Sequence, residues 1–327
     1  MIYIDKNSED PWFNIASEEF TLKNTSEDIV MLWVNEPSVV LGKHQNTMAE
    51  VNIPYVMEKN IPVIRRISGG GTVYHDLGNL NFSVITTNQN RERLIDFPKF
   101  AEPIIQFMKA RGHDVHFYGK TNLGVKGLKF SGNAAHVFKN RALHHGTLLF
   151  DADLFELEQT IRPTDAHIED KAVKSVRAEM VNLKSLLPQF DTLADFYLQF
   201  KAFLLEYFSI AVTRSFTSDE IESIQKLANE KYRSTEWNYG YSPGYFFKKS
   251  AYHKGENVAL QLEVKKGIIV DLQLQSSALT ESDQLFLQKI LINKPHHPQA
   301  MIETITINEM LLKNQGLDNQ LLLSLLL

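Results

Sequence analysis

The most informative stretch of this chain reads RRISGGGTVYHDLGNLN and spans residues 65–81. Apolar residues at 61–67 predict a strand that runs into three consecutive glycines, and alternation at 79–86 predicts a second strand. Without side chains, the backbone of the glycine loop, residues 68–72, can approach a ligand closely and present N–H groups to an anion, and Arg65 and Arg66 add positive charge. The pattern predicts either a phosphate- or carboxylate-binding loop or a flexible turn with two solvated arginines.

Well-known nucleotide loops and nucleophile turns have other spacings. A P-loop requires GxxxxGK[ST] and a dinucleotide fold requires GxGxxG, and neither pattern is present. The GxSxG turn of serine hydrolases is also missing, because Arg66 lies two residues before Ser68 and Lys129 lies two residues before Ser131. The sequence therefore disfavours these three classes.

Helical and strand patterns are mixed along the rest of the chain. Alternating or continuous apolar runs predict strands at 28–34, 38–41, 257–264 and 268–275. Three-and-four spacing of apolar residues predicts helices at 14–21, 98–111, 192–208 and 218–231. Because the character changes after Pro243 to two polar-alternating strands followed by helical stretches, a second, small α/β domain is expected to begin near 245–252.

Composition limits the function classes. The 327 residues carry a formal charge of −5, which disfavours nucleic acid as a partner because phosphate binding needs clustered Lys and Arg. No cysteine is present, so thiol nucleophiles and thiolate metal sites are excluded. The most apolar run, 321–327, is far shorter than a membrane span, and the acidic and basic residues of 1–11 do not fit a signal peptide. A cytoplasmic protein without a membrane anchor is expected.

Lys129 is the first candidate catalytic residue. In the stretch 128–131, alternation places Leu128 and Phe130 on one face and Lys129 and Ser131 on the other. A lysine directed into a pocket would hold a carboxylate against a phosphate and stabilise the charge of the transition state. Lys126 is expected to face the opposite way if the strand extends that far. The alternative is an ordinary edge-strand lysine turned to water.

The histidines do not predict a metal centre. His144 and His145 are adjacent, so on a strand they face opposite sides and cannot easily share one ion. The HExxH pattern is absent. The pair His296 and His297 is interpreted as surface or helix-cap histidines. Zinc chemistry is therefore disfavoured.

Taken together, three stretches resemble the signature sequences of lipoate-protein ligases. The first is the stretch 65–81, the second combines 128–134 with 141–149, and the third combines 174–177 with Asn182 and Leu183. Their order and intervals also fit, and 236–243 is similar to the segment that closes the large domain of that family. The resemblance covers nearly the whole chain.

The resemblance implies an α/β (α+β) fold. The family has a mixed β-sheet catalytic domain, which it shares with biotin ligases, and a small, mobile accessory domain. We therefore expect a catalytic domain at residues 1–246 and a small α/β domain at residues 247–327.

The resemblance also implies roles for individual residues. The residues that match the ATP-contacting positions are Arg66, Gly71, Thr72, Val73, Tyr74 and Lys129. Those expected to bind lipoate are Ser68, Gly69, Gly70, Lys129, His145 and Gly146. The loop expected to fold over the adenylate contains Lys174, Ser175, Val176 and Arg177. Lys129 belongs to both binding sets and is the expected catalytic residue.

The implied reaction has two steps. The lipoyl carboxylate attacks the α-phosphate of ATP, which gives lipoyl-AMP and pyrophosphate, and a lysine of the acceptor protein then attacks the acyl carbonyl. ATP and Mg²⁺ are the implied cofactors. The acceptor is a lipoyl domain, either the glycine-cleavage H protein or the E2 component of a 2-oxoacid dehydrogenase. Lipoate or octanoate is the expected acid, and a monomer is the expected state.

One position departs from the family pattern. Where the family usually carries Gly-Arg-Asn-Asp, this chain has Gly119-Lys120-Thr121-Asn122. The amide of Asn122 can hydrogen-bond Lys129, but it is a weaker Mg²⁺ ligand than a carboxylate, so Asn122 is the one possible metal ligand. The alternatives are a lipoyl or octanoyl transferase without the activation step, which the lack of cysteine disfavours, and a non-catalytic lipoyl-binding homologue. Biotin ligation is less compatible with the loop.

Overall fold

The structure is a computed structural model that describes residues 1–88, 94–161, 165–253, 255–275, 280–314 and 317–327. Within these residues the strands are β1 (Ile2–Asp5), β2 (Ile29–Trp33), β3 (Ser38–Leu41), β4 (Val63–Arg65), β5 (Val73–His75), β6 (Asn79–Thr87), β7 (His116–Tyr118), β8 (Asn122–Val125), β9 (Leu128–Ser131), β10 (Asn133–Phe138), β11 (Arg141–Leu149), β12 (His167–Asp170), β13 (Thr213–Ser215), β14 (Tyr245–His253), β15 (Glu256–Lys265) and β16 (Ile268–Gln275). The α-helices are α1 (Pro11–Asn24), α2 (Thr47–Glu50), α3 (Ile53–Glu58), α4 (Phe97–Lys109), α5 (Leu154–Thr160), α6 (Leu193–Tyr207), α7 (Ser218–Leu227), α8 (Glu281–Leu291), α9 (Pro298–Ile307), α10 (Glu309–Asn314) and α11 (Asn319–Leu326). A 3₁₀ turn at Leu183–Ser185 and π-helical turns at Ala228–Tyr232 and Glu236–Gly240 complete the elements.

The chain forms two compact units, each built from several segments. The first unit contains Met1–Lys43, Ile64–Leu157 and Ser175–Arg233, and the second contains His44–Val63, Glu158–Lys174 and Ser234–Leu327. Residues 234–246 therefore group with the C-terminal strands. The boundary expected between residues 246 and 247 stays a prediction.

A mixed six-stranded sheet is the centre of the first unit, in the order β10-β11-β6-β2-β1-β13. Strand β1 pairs in parallel with both β2 and β13, while β2, β6, β11 and β10 pair antiparallel in succession. Two three-stranded sheets, β4-β3-β5 and β7-β8-β9, belong to the same unit except for Val63 at the start of β4. The expected mixed α/β fold class is confirmed.

Helix α1 is buried on nearly all sides. It begins cleanly because the Asp10 side chain accepts hydrogen bonds from the N–H groups of Trp12 and Phe13, and Pro11 occupies a position where no backbone donor is needed. Polar residues at positions i, i+3, i+4 and i+7 form a stripe, and all four are buried: Asn14, Ser17, Glu18 and Thr21. The stripe therefore places four polar side chains, including the carboxylate of Glu18, in the interior of the unit.

Aromatic side chains pack together in the core between the six-stranded sheet and helices α4 and α6. Phe107, Phe150, Phe196 and Phe200 are each at most 1% exposed, and Phe196 lies 5.0 Å from Phe150 and 5.7 Å from Phe200 between ring centroids. Full burial of such a side chain contributes about 1.5–3 kcal/mol. Helix α6 begins with a capping box in which Thr192 and Asp195 exchange hydrogen bonds, so its register against the core is well defined.

The second unit contains an antiparallel sheet in the order β12-β14-β15-β16. Lys266 and Gly267 turn the chain between β15 and β16 with φ values of 50° and 73°, which is typical of a tight hairpin. His296 is 1% exposed, so its interpretation as a surface or cap residue is wrong. Its Nε2 donates to the Leu326 carbonyl at 2.9 Å, and its Nδ1 accepts from the Tyr245 hydroxyl at 2.6 Å. His297 does cap helix α9, by accepting from the N–H of Ala300.

The predicted elements correspond to observed ones with shifted ends. The strand expected at 61–67 is limited to Val63–Arg65, and the helix expected at 218–231 is α-helical to Leu227 before a π-helical turn. Among the described helices, none is both long and apolar enough to cross a membrane.

Candidate active site

The glycine loop connects β4 to β5 and is held by the buried guanidinium of Arg66. One terminal nitrogen of Arg66 donates to the carbonyls of Gly69 at 2.6 Å and Gly71 at 2.8 Å. The other donates to the Val40 carbonyl at 3.0 Å on β3, and Nε donates to the Ser68 hydroxyl at 3.0 Å. Arg66 therefore connects the loop to the neighbouring strand. The glycine loop is therefore held in one conformation by the hydrogen bonds of Arg66 and is not a flexible turn beside a solvated arginine.

The bonds of Arg66 determine where the loop N–H groups point. In a trans peptide the C=O and the following N–H point in opposite directions. Because the carbonyls of Gly69 and Gly71 turn towards Arg66, the N–H groups of Gly70 and Thr72 turn away from it. The Thr72 N–H indeed donates to the Ser175 hydroxyl at 2.9 Å. An oxygen acceptor thus occupies the position to which this part of the loop directs a donor.

Ser68 begins a buried hydrogen-bonded chain. Its Oγ lies 2.6 Å from Nε2 of His145 on β11, and Nδ1 of His145 lies 2.9 Å from both carboxylate oxygens of Glu18 on helix α1. Glu18 also accepts from the Ser83 hydroxyl at 2.6 Å. Ser68 is fully buried, Glu18 is 1% exposed and His145 is 7% exposed. A helix, a strand and the glycine loop are therefore joined by polar side chains in the interior.

The charge of Glu18 is stabilised by its surroundings. Burial alone would raise the pKa of Glu18, but the neighbouring His145 and Lys6 and the hydrogen bond from Ser83 together outweigh burial, so the pKa is lowered. Lys6 is itself buried and lies 4.2 Å over the Trp33 ring, and burial lowers its pKa to about 7. The carboxylate of Glu18 is accordingly a fixed hydrogen-bond acceptor in the neutral pH range.

Lys129 lies on β9 of the hairpin formed by β8 and β9. Its Nζ is 3.4 Å from the point that a Cβ on Gly132 would occupy, and Oδ1 of Asn122 is 3.6 Å from the same point. The structure therefore brings Asn122 and Lys129 together across Gly132, whose missing side chain leaves them room. Lys126 does not continue the strand, because it occupies the hairpin turn with a φ of 53°. The expectation that it faces away from Lys129 on the same strand therefore does not apply.

Two cations dominate the electrostatics here. Burial lowers the pKa of Lys129, and the positive charge of Arg66 lowers it further. Burial likewise lowers the pKa of Arg66, to about 10, with Arg65 adding to the effect. Among the described residues, Lys129 forms no salt bridge. An anionic ligand beside Lys129 would relieve this repulsion, so the arrangement favours a carboxylate or phosphate.

The remaining residues expected at the nucleotide contribute in different ways. Thr72 and Tyr74 are 7% and 3% exposed, so their side chains are largely enclosed. Val73 and Tyr74 lie on β5, which pairs with β3.

Gly146 allows neighbouring segments of the chain to lie close to β11. A Cβ at this position would lie 2.5 Å from Oδ1 of Asn133, 2.6 Å from the Gly132 carbonyl and 2.8 Å from the Phe82 ring. Real Cβ atoms do not approach other atoms so closely, so the position accepts only glycine. Gly146 consequently holds the segment after Lys129 against β11.

The expected adenylate loop is divided between the two units. Ser175, Val176 and Arg177 belong to the first unit, where the Ser175 hydroxyl accepts from the Thr72 N–H. Lys174 belongs to the second unit, and its Nζ lies 3.9 Å from Oδ1 of the buried Asp170. Lys174, Val176 and Arg177 are exposed.

Metal ligands are scarce around these residues. In the part of the chain that the structure describes, no group of three or more His, Cys, Asp or Glu side chains could hold a metal ion. Asn122 offers one amide oxygen. These residues do not by themselves complete the shell of six oxygen ligands that Mg²⁺ takes.

Glu18 was absent from the residues predicted from the sequence. A signal existed in the spacing of the polar stripe on α1, but a polar stripe at helical spacing normally indicates the solvated face of a helix. Only the packing of α1 against β6 and β11 shows that the stripe faces inwards. The contact of Ser175 with Thr72 was equally invisible, because 103 residues separate the two in sequence.

Comparison with known proteins gives the family. Residues 10–205 match the family described as lipoyl protein ligase A/B catalytic domain. Lipoate–protein ligase 1 of Staphylococcus aureus (strain Mu50) is 36% identical over 306 residues, which are 92% of each chain. Lipoate-protein ligase LplJ of Bacillus subtilis (strain 168) is 34% identical over 310 residues, which are 93% of each chain.

Solved structures with lower identity share the fold. LipL1 of P. falciparum in complex with lipoate has a TM-score of 0.63 at 22% identity and covers 96% of this chain and 97% of its own. A lipoate-protein ligase A bound with ATP has a TM-score of 0.62 at 21% identity and covers 73% of this chain and 98% of its own. A third structure comes from work on a bipartite lipoate protein ligase and its E2 lipoyl domain from Thermoplasma acidophilum. It has a TM-score of 0.61 at 21% identity and covers 73% of this chain and 96% of its own. By the family match and by the identity to the two curated ligases, this chain belongs to the lipoyl protein ligase A/B catalytic-domain family.

Proposed function

We propose that this chain is a lipoate-protein ligase that activates lipoate with ATP and transfers the lipoyl group to a lysine of a lipoyl-domain protein. The observation that carries the proposal is the orientation of the glycine loop by Arg66 beside the cationic Lys129. Together they provide backbone donors and two positive charges for an anion, which is what the activation of a carboxylate by a nucleoside triphosphate requires.

In the first step, a lipoate carboxylate oxygen forms a bond to the α-phosphorus and the bond to the pyrophosphate oxygen breaks. Lys129 holds the carboxylate near the α-phosphate, and its ammonium group stabilises the negative charge that builds up on the phosphate oxygens. In the second step, the acceptor amine bonds to the acyl carbon, AMP leaves, and the amine loses a proton. The acyl adenylate formed in the first step is the electrophile of the second, so one site can serve both.

The proposed nucleotide site contains Arg66, Gly71, Thr72, Val73, Tyr74 and Lys129. Arg66 acts here by orienting the loop, since its nitrogens donate to Gly69, Gly71, Val40 and Ser68. An oxygen of the nucleotide would take the place of the Ser175 hydroxyl at the Thr72 N–H. The segment of Lys174, Ser175, Val176 and Arg177 would then rearrange over the adenylate.

The proposed lipoate site contains Ser68, Gly69, Gly70, Lys129, His145 and Gly146. Both ring nitrogens of His145 already have partners, so its contact with lipoate would use the ring face. An apolar slot for the acyl tail would favour lipoate or octanoate over short acids, because each buried methylene contributes about 0.8 kcal/mol. Such a slot would discriminate weakly between these two acids.

Mg²⁺ is proposed as a companion of ATP that offsets phosphate charge, and Asn122 is the residue that would contact it. The proposed acceptor is the glycine-cleavage H protein or the E2 lipoyl domain of a 2-oxoacid dehydrogenase. The names of the curated relatives favour a ligase over a transferase without an activation step.

The proposed organisation is a monomer with a catalytic domain at 1–246 and an accessory domain at 247–327. The ATP-bound ligase structure covers 73% of this chain, which is close to the share taken by the first of these domains. Because the reaction consumes ATP, the cytoplasm is the proposed location.

The test is pyrophosphate release by the purified protein with ATP, Mg²⁺ and free lipoate, with and without a lipoyl-domain acceptor. Release without acceptor, with lipoyl-AMP detected by mass spectrometry, supports the ligase. Modification of the acceptor only when lipoyl-AMP or a lipoylated donor is supplied would instead identify a transferase that lacks the activation step.

Lys129→Ala tests the assignment of the site. Loss of the ammonium group should lower lipoyl-AMP formation by about 100-fold or more, as for the loss of other transition-state contacts. Lys126→Asn is the matched control, because Lys126 is exposed and asparagine tolerates its positive φ. Full activity of folded Lys129→Ala would refute the assignment of Lys129.

A further inference from the structure

We infer that Glu18 is a positioning residue for ATP binding, acting through the Glu18 relay, which comprises Glu18, His145, Ser68 and Arg66. The inference rests on the proposed function and adds to it a residue from a helix outside the signature sequences. The relay determines the orientation of the loop N–H groups that would receive the nucleotide phosphates.

The first link determines the tautomer of His145. The ionised carboxylate of Glu18 can only accept, and both of its oxygens lie 2.9 Å from Nδ1 of His145. Nδ1 must therefore carry a proton. In the neutral imidazole Nε2 is then an acceptor, and it accepts the hydroxyl proton of Ser68 across 2.6 Å.

The second link orients Arg66. Since the proton of Ser68 points to His145, the lone pairs of its oxygen are available to the Nε–H of Arg66, which donates across 3.0 Å. Ser68 is fully buried and Arg66 is 6% exposed, so water has little access to replace this bond. With Nε anchored to Ser68 and one terminal nitrogen to Val40, the plane of the guanidinium is defined.

The third link transfers this orientation to the glycine loop. The remaining terminal nitrogen of Arg66 meets the carbonyls of Gly69 and Gly71, which directs the N–H groups of Gly70 and Thr72 away from the guanidinium. Loss of the Glu18 acceptor would free the imidazole of His145 to turn, and Ser68 would lose the partner that holds its hydroxyl beside the Nε–H of Arg66. The guanidinium would then rotate, and the loop donors would lose their alignment.

Glu19 provides an internal comparison. It is the next residue on the same helix, is 3% exposed and accepts from Lys23 at 2.6 Å and from Lys231 at 2.7 Å. None of the hydrogen bonds of Glu19 that involve described residues reaches the glycine loop. Substitution of Glu19 and of Glu18 should therefore both reduce stability, but only the latter should alter the loop.

The experiment measures the KM for ATP and the Kd for ATP of the full chain for Glu18→Met, Glu18→Gln and Glu19→Met. Glu18→Met removes the acceptor without changing the side-chain length much, so the KM and Kd for ATP should rise about ten- to a hundredfold, the range seen when partners of ligand-orienting histidines are removed at metal sites. Glu18→Gln keeps one oxygen for Nδ1 and should recover most of the affinity. Glu19→Met should leave both constants unchanged.

A merely structural role of Glu18 would give another result. In that case Glu18→Met and Glu19→Met would both lose active protein, which lowers kcat and leaves the KM for ATP unchanged, and Glu18→Gln would rescue nothing specific to ATP. Either result overturns the inference. Failure of the wild-type protein to bind ATP would instead overturn the proposed function, so the two failures are distinguishable.

Ser68→Ala supplies a second measurement. If Glu18 acts through Ser68, the variant Glu18→Met/Ser68→Ala should bind ATP no more weakly than Ser68→Ala alone, because the relay is already broken. Independent effects would multiply instead, and multiplication would contradict the relay.

Discussion

Replacement of Asn122 by aspartate is the most informative single change at the proposed active site. Oδ1 of Asn122 and Nζ of Lys129 lie 3.6 Å and 3.4 Å from one point above Gly132, so the two atoms are no more than about 7 Å apart. Asn122→Asp is nearly isosteric and adds a negative charge at this distance. The pKa of Lys129, which burial and Arg66 lower in the wild-type protein, should then rise.

The magnitude follows from Coulomb's law. At about 7 Å and an effective dielectric constant of about 20, the attraction of two unit charges is about 2 kcal/mol. Lys129 is half-buried, so solvent screening reduces this to about 1–2 kcal/mol. Because about 1.4 kcal/mol corresponds to one pH unit, the pH at which the ammonium group of Lys129 is lost should move up by about one unit.

The assay is lipoate-dependent exchange of pyrophosphate into ATP, measured as a function of pH. If activation needs protonated Lys129, the alkaline limb of the profile for Asn122→Asp should lie about one pH unit above that of the wild type. Asn122→Ala is the control, because it removes the amide without adding charge and should leave the limb in place. An unmoved limb in Asn122→Asp, or an equal displacement in Asn122→Ala, would refute the reasoning.

Two further predictions concern stability. Gly78→Ala would place a Cβ 2.0 Å from the Asp151 carbonyl oxygen and should lower the free energy of unfolding in urea by about 1–3 kcal/mol or more. Gly69→Ala is the control, because a Cβ there would meet nothing within 4 Å and should cost far less. Equal losses in the two variants would contradict this prediction. Burial lowers the pKa of His296 to about 4 from 6.5, so the unfolded state binds its proton first and stability is lost as the pH falls below 6.5. By pH 5 the free energy of unfolding of the wild type should fall by about 2 kcal/mol more than that of His296→Gln, a variant that keeps an acceptor for Tyr245. Parallel curves of stability against pH for the two proteins would exclude His296 as the cause.

Much of the fold was predictable because its signals are local. The alternation at 79–86 and the apolar spacing at 98–111 and 192–208 correspond to β6, α4 and α6 within a few residues. The ends were less predictable, because they depend on capping and on neighbouring strands. The strand expected at 61–67 is shorter, since after Arg65 the chain departs to form the braced glycine loop.

The active-site prediction was partly local and partly not. Alternation around Lys129 indicated that it shares a strand face with Ser131, and the structure adds that Asn122 lies near Lys129 across Gly132. The contact of Arg66 with ATP stays a prediction, and the structure adds that its donors bond to Gly69, Gly71, Val40 and Ser68. The bonds to the Gly69 and Gly71 carbonyls could not be predicted from the sequence, because they depend on how the loop folds back over the guanidinium.

The sequence by itself determined the family, the mixed α/β class and the identity of the loop, because these depend on residue types at fixed short spacings. Only the tertiary structure decided which buried polar groups meet. Glu18 and His145 are 127 residues apart, and a carboxylate on a helix reads as a solvated residue until the helix is packed. The free energy of the ionised carboxylate depends on the local dielectric and on the charged and polar partners that the fold brings to it. Neither is encoded within any one stretch of the chain.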